Sequence, residues 1–239
     1  MDDSDPFAAP HRLPSSTRPL LGLTILVVED SRYACEAMRL LCLRSGARIR
    51  RADCLKSARR HLQLYRPSVI VVDMGLPDGS GADLIKEMAS ASPRISVILG
   101  TSGDDCAQEA AIEAGADGFL PKPVTSLATF QEVILSLLPE ERRPCGPRVL
   151  QDEVVRPDPL AYQDDMVHVA DVLSDRDDEK ALDYVAQFLS GVARAADDHT
   201  LATAAAGLAR ARARGTPVAA DAARVAGLVQ DRLERRKAI

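Results

Sequence analysis

Val69-Ile-Val-Val-Asp73-Met-Gly-Leu-Pro-Asp-Gly-Ser-Gly81 places four apolar residues directly before an aspartate, then a glycine-rich turn. A short run that is apolar throughout reads as a strand buried on both faces of a parallel sheet. The same pattern recurs in Ile25–Val28 before Glu29 and Asp30, Val97–Gly100 before Thr101, and Gly118–Pro121 before Lys122. In an open α/β sheet, ligands and reacting groups gather at the carboxyl ends of the strands. Three carboxylates, one hydroxyl and one ammonium are therefore expected to converge there.

Working outward, strands are predicted near 24–28, 47–51, 68–72, 95–100 and 117–120, and helices near 31–45, 54–65, 81–91, 104–114 and 124–138. This alternation implies βαβ units, a doubly wound five-stranded parallel sheet with helices on both faces. Asp30 or Ser31 is expected to cap the first helix and Asp53 the second, with Gly46 closing the first. Residues 1–20, with four prolines among polar residues, read as a disordered lead-in to a domain over 21–138. Residues 139–160 carry five more prolines between charges and read as a stiff linker.

Residues 161–239 lose the strand pattern and become alanine-rich. Helices are expected over 162–173, from Ser174 onward, from about Asp198 to Arg214, and after Thr216-Pro217 as cap and first position. Leu182, Val185, Leu189 and Val192 form one apolar stripe, and Val218, Ala222, Val225, Val229 and Leu233 another. Short connections favour a small all-α bundle of antiparallel helices. Its stripes would also serve for a homodimer.

Bulk composition narrows the function. The net charge is −5 and aromatics are 3% of 239 residues, so neither general charge nor stacking surface favours nucleic acid. No apolar run is long enough to span a bilayer, and the acidic start is unlike a signal peptide. Five scattered cysteines without a C-x-x-C pair fit a reducing cytoplasm, with Cys35 and Cys42 as buried thiols.

A carboxylate can attack phosphorus when the charge of the phosphoryl oxygens is neutralised and the group is held in line. Glu29, Asp30 and Asp73, with the backbone carbonyl of Gly75, form a hard oxygen donor set suited to Mg²⁺. Lys122 is placed to pair with one phosphoryl oxygen and Thr101 to hydrogen-bond another.

Residues 21–138 resemble the receiver domain of two-component response regulators, the chemotaxis-type fold. The resemblance rests on Leu26-Val-Val-Glu29-Asp30-Ser, the Asp73 segment quoted above, and Gly115-Ala-Asp-Gly-Phe-Leu-Pro-Lys122-Pro. It implies that a histidine kinase or histidine phosphotransfer protein donates phosphate to Asp73. It also implies that Glu29 and Asp30 hold Mg²⁺, that Lys122 contacts the phosphate, and that Thr101 and Phe119 form the switch pair. Lys122-Pro123 would be cis. The resemblance implies self-catalysed phosphoryl transfer and hydrolysis rather than an enzyme acting on other substrates. It places communication with the tail on the fourth helix, fifth strand and fifth helix. Gly75 and Gly103 depart from the pattern, leaving no side chain where such domains carry groups that shield the phosphoryl group or position water.

The tail has no cyclic-dinucleotide or ATPase motif, so an interaction or dimerisation module acting on a downstream protein is the expected output. A DNA-binding tail would use Arg210, Arg212, Arg214, Arg232, Arg235, Arg236 and Lys237. Asp164, Asp165, Asp171, Asp175, Asp177 and Asp178 oppose that patch. A degenerate phosphotransfer station at His199, in Asp198-His-Thr-Leu, is the other alternative.

Overall fold

A computed structural model describes residues 14–104, 106–144, 146, 152–174 and 179–235. Five parallel strands, β1 (Thr24–Val28), β2 (Arg48–Ala52), β3 (Val69–Asp73), β6 (Val97–Ser102) and β7 (Gly118–Pro121), form one sheet in the order β2-β1-β3-β6-β7. Strand periodicity sends alternate residues to opposite faces. Ile25, Val27, Val69, Val71, Val97 and Leu99 pack beneath α1 (Arg32–Ser45) and α5 (Leu127–Leu137). Leu26, Val28, Ile70, Val72 and Ile98 face α2 (Leu55–Leu64), α3 (Gly81–Ser90) and α4 (Ala107–Glu113). Burial on both faces accounts for the unbroken apolar runs.

Local endings differ from expectation in a few places. Ser31 caps α1 through Ala34 N, and Gly46 ends it at φ +83°. Cys54, not Asp53, caps α2, while Asp78 accepts from Leu55 N and Lys56 N. A side chain from another loop thus takes the role assigned to the neighbouring aspartate. The glycine-rich turn after Asp73 forms a small antiparallel hairpin, β4 (Gly75–Leu76) with β5 (Gly79–Ser80). Helix α4 starts at Ala107, three residues later than expected.

The first 13 residues of the expected lead-in lie outside the described residues. Pro19 and Leu20 are buried, Leu20 in the core beneath α1, so packing begins before residue 21. The expected linker does not stand off either. Glu153 O accepts from Leu127 N, and Val155 N donates to Thr125 O. Val155 is buried in the same core, and Arg44 pairs with Glu153. The linker's last stretch is laid onto the start of α5 by the buried Val155 side chain and these backbone bonds.

Among the described residues the C-terminal part is a bundle of four helices: α6 (Pro159–Ser174), α7 (Glu179–Ala195), α8 (His199–Ala213) and α9 (Ala219–Arg235). Val185, Leu189, Val192, Val225 and Val229 of the two expected stripes fill its core, joined by Leu201 and Leu208 of α8, which the stripes did not include. Ser174 ends α6 instead of starting a helix, its hydroxyl donating to Ala170 O. Asp175, Asp177 and Asp178 lie outside the described residues. Thr216 does not cap α9; its hydroxyl turns back to Ala211 O, and the helix begins at Ala219.

The bundle sits on the receiver part through α6 and α7, which pack against α1 and β4. The surface expected for communication, α4, β7 and α5, is not where these helices dock. The reason is chemical: α1's amino end and the acidic loops offer hydrogen-bonding groups that α6 and α7 carry the side chains to meet.

Candidate functional site

The parallel register carries Glu29, Asp30, Asp73 and Lys122 to one end of the sheet. Carboxylate oxygens from Glu29, Asp30 and Asp73 lie within 4.8 Å of one another. Lys122 Nζ bridges two of them, 2.7 Å from Glu29 Oε2 and 2.8 Å from Asp73 Oδ2. Ser31 N donates to Glu29 Oε1 at 3.2 Å, and Gly75 N reaches Asp73 Oδ1 at 3.4 Å. The Lys122-Pro123 peptide is cis.

The electrostatics follow from crowding and burial. Burial raises the Glu29 carboxyl well above the usual range, against the pull of Lys122, with Asp73 and Asp30 adding to the rise. Burial, then the charge of Asp73, pushes Asp30 up to about 6. Burial alone would lower the Lys122 ammonium, but Asp73 and Glu29 outweigh it and hold it charged. With one ammonium facing three carboxylates, the cluster is short of positive charge. A hard divalent cation matches both the deficit and the all-oxygen donors.

Thr101 and Phe119 reach the same neighbourhood but not the acidic group. The Thr101 hydroxyl donates to Leu120 O at 2.7 Å and so turns toward β7. Phe119 is half-buried in the core facing α2 to α4, beside the side-chain-free Gly100. Gly81 matters for placement. A Cβ there would meet Asp73 O at 2.0 Å, so only glycine lets α3 start this close to the end of β3.

Three side chains from the bundle enter the site. The Tyr184 hydroxyl donates to Asp30 Oδ2 at 2.7 Å. Gln187 fills the space beside Gly75, its amide nitrogen 2.1 Å from where a Cβ would stand. Asp165 reaches the start of α1, accepting from Ser31 Oγ at 2.7 Å, Arg32 N at 2.7 Å and Tyr33 N at 3.1 Å. Between α7, α8 and the strand ends lies a cavity of about 730 Å³, lined by Asp30, Asp73, Lys122, Gln187, Arg194 and Arg210, among others. Sequence reasoning missed these contributions. Their one local signal was that Tyr184, Gln187 and Gly191 recur at helical spacing opposite the apolar stripe of α7.

The other tail residues singled out fall elsewhere. His199 is exposed at the first position of α8, capped by Asp198. Arg212 pairs with Asp183, and Arg232 with Asp198, whereas Arg210 and Arg214 are exposed. The Arg235 side chain, Arg236 and Lys237 lie outside the described residues. Cys35 and Cys42 are buried, and burial pushes both thiols up to about 12. Among the described residues, no helix is long and apolar enough to cross a membrane.

The fold and the acidic cluster together define a class, and the comparisons agree. Residues 25–134 are a response regulator receiver domain. The chain is 30% identical over 99 residues to the KDP operon transcriptional regulatory protein KdpE of Escherichia coli, covering 41% of this chain and 44% of that protein. It is 33% identical over 116 residues to the probable transcriptional regulatory protein TcrX of Mycobacterium tuberculosis, covering 48% of each. The chain spans about half the length of the curated relatives it matches. A solved structure, the signal receiver domain of a signal transduction histidine kinase from Syntrophus aciditrophicus, is similar at 23% identity and a TM-score of 0.46. That match covers 54% of this chain and 99% of the other. The family match ends at residue 134, before the bundle begins.

Proposed function

We propose that the chain is a two-component response regulator in which Asp73 accepts a phosphoryl group from a histidine kinase or histidine phosphotransfer protein. The observation that carries this reading is Lys122 Nζ held between Glu29 and Asp73 inside the three-carboxylate cluster. Asp73 is the acceptor because it ends the central strand β3 and lines the cavity beside Lys122. Glu29, Asp30, Asp73 and the carbonyl of Gly75 would hold Mg²⁺, which supplies charge neutralisation for the phosphoryl oxygens. Lys122 supplies a point charge to one of those oxygens. Thr101 would rotate from Leu120 O toward the new phosphoryl group, freeing space for Phe119 to move. The chemistry is phosphoryl acceptance and hydrolysis on its own side chain, not turnover of another substrate.

The bundle is the output, and we assign it to protein contact, with a downstream protein or a second copy as its partner. A DNA-reading output is the second reading, favoured by relatives named transcriptional regulators. Against it, Arg212 and Arg232 of the expected basic patch are engaged by aspartates of the bundle. Incubation with acetyl phosphate and Mg²⁺ tests the acceptor: one acid-labile phosphoryl group is expected, absent in Asp73→Asn. Undiminished uptake by Asp73→Asn would overturn the assignment. Titration of the full chain with duplex DNA tests the output; tight, salt-sensitive binding would favour the second reading.

A further inference from the structure

Two positions beside Asp73 lack side chains, and α7 runs over both. Gly75 stands two residues after Asp73, and Gly103 two after Thr101. A Cβ on Gly75 would meet Gln187 Nε2 at 2.1 Å and Cδ at 2.6 Å. A Cβ on Gly103 would lie 3.6 Å from Gly191 Cα, with the Arg194 guanidinium next nearest at 3.8 Å. Tyr184 holds Asp30 one turn earlier on the same helix. Positions 184, 187 and 191 share one helix face. That face therefore meets the loop after β1, strand β4 just past β3 and the loop after β6 in order. Val185, Leu189 and Val192, on the other face, are buried in the bundle core.

We infer that α7 completes the phosphoacceptor site in cis, and that the Gln187 carboxamide positions the water that hydrolyses the phosphorylated Asp73. The inference rests on Asp73 being the acceptor, as proposed above. In hydrolysis the water oxygen bonds to phosphorus while the bond from phosphorus to the Asp73 oxygen breaks. The electron pair leaves with Asp73 as carboxylate, and the water's proton departs with the released phosphate. A water attacking in line must be oriented on the side of phosphorus away from Asp73. The receiver part offers no side chain at 75 or 103 to do so, whereas a carboxamide both donates and accepts hydrogen bonds. Gln187 can donate to a phosphoryl oxygen and accept from the water. It has no proton to take up at neutral pH, so it is a positioning residue. The cavity of about 730 Å³ leaves room for this chemistry with the bundle docked, since a water occupies only about 30 Å³.

The test uses the full chain, loaded with radiolabelled acetyl phosphate, desalted, and followed as loss of label. Decay is read after the donor is removed and is therefore independent of uptake rate. Gln187→Ala is expected to lengthen the half-life by roughly tenfold or more, the scale of a lost orientation effect. Gly75→Asn in the Gln187→Ala background places a carboxamide in the vacated space and is expected to recover most of the lost rate. A Gln187→Ala half-life equal to or shorter than that of the unaltered chain overturns the inference. So does a lengthened half-life that Gly75→Asn leaves unchanged, which would trace the effect to docking and not to the carboxamide. Label taken up on Asp73 but insensitive to Gln187 defeats this inference alone. An unaltered chain that takes no label on Asp73 defeats the acceptor assignment as well.

Discussion

The Tyr184 hydroxyl lies 2.7 Å from Asp30 Oδ2, across 154 residues of chain. The bundle is therefore in direct contact with the acidic cluster. The same hydroxyl lies 2.9 Å from His168 Nε2, so it donates to Asp30 and accepts from the imidazole. Hydrogen bonds to charged groups contribute about 1.5–3 kcal/mol. Tyr184→Phe is expected to weaken docking by an amount at the lower end of that range, read as a lower urea midpoint. The lost donor had favoured ionised Asp30, so the Asp30 carboxyl should titrate above its present value of about 6. Carbon-detected NMR of the carboxyl groups measures this, and an unchanged or lower titration point would contradict the contact.

Asp165 joins the two parts of the molecule from the other side. It is buried, and its carboxylate takes three donors at the start of α1. Two of those donors are backbone groups that an α-helix leaves unpaired at its amino end. Asp165→Ala removes all three acceptor bonds and is expected to cost about 2–3 kcal/mol, given the usual cost of orphaned buried groups. Because the loss falls on the junction, proteolysis between residues 143 and 159 should accelerate more than proteolysis within the sheet. Equal acceleration at both would show that Asp165 acts only on global stability.

Gly81 predicts a different kind of damage. A methyl group there meets the Asp73 backbone carbonyl at 2.0 Å, and backbone at the end of a central strand cannot swing aside as a flexible side chain would. Gly81→Ala is expected to displace Asp73 relative to Lys122 and to destabilise by roughly 1–3 kcal/mol, the range for overpacking. Phosphoryl uptake should fall by a larger factor than stability alone explains. Normal uptake with a normal melting temperature would show that the α3–β3 junction yields easily.

How much of this was legible in the sequence divides along physical lines. Strands β1, β3 and β6 and the residues ending them could be read because burial on both faces demands unbroken apolar runs. Any polar group at such a run's end must then stand at the sheet's rim. Ser31 and Gly46 could be read because caps follow local backbone rules. The Asp78 bond to α2, the β4–β5 hairpin and the seating of Val155 depend on groups distant in sequence, and no local pattern announced them. The docking of α7 was half legible. Gly75 and Gly103 stood out as missing side chains, yet nothing local to them said that Gln187 and Gly191 fill the space. The polar and small stripe of α7 looked like an ordinary solvent-facing helix surface, because a polar interface and a solvated one share a composition.

Acid should loosen the bundle through Asp198. This carboxylate accepts from Arg232 Nε and Nη2 at 2.8 and 2.9 Å and from the Tyr162 hydroxyl at 2.8 Å. It also caps α8 at Leu201 N. It ties α6, α8 and α9 together, and the Arg232 bonds, outweighing burial, hold it down at about 2. A carboxyl lowered in the folded state binds its proton more readily when unfolded, so its contribution is complete above the unfolded value of about 4. It is then lost as pH falls toward 2. At about 1.4 kcal/mol for each pH unit between the folded and unfolded titrations, the upper bound is about 2.5 kcal/mol over that window, less what solvent screening of this partly exposed pair removes. The stability gap between the unaltered chain and Asp198→Asn, measured by urea unfolding of the bundle, should be widest above about pH 4 and narrow on acidification through the window set by these two titrations. A gap that stays constant across that window would show that the Arg232 pair does not govern the acid response.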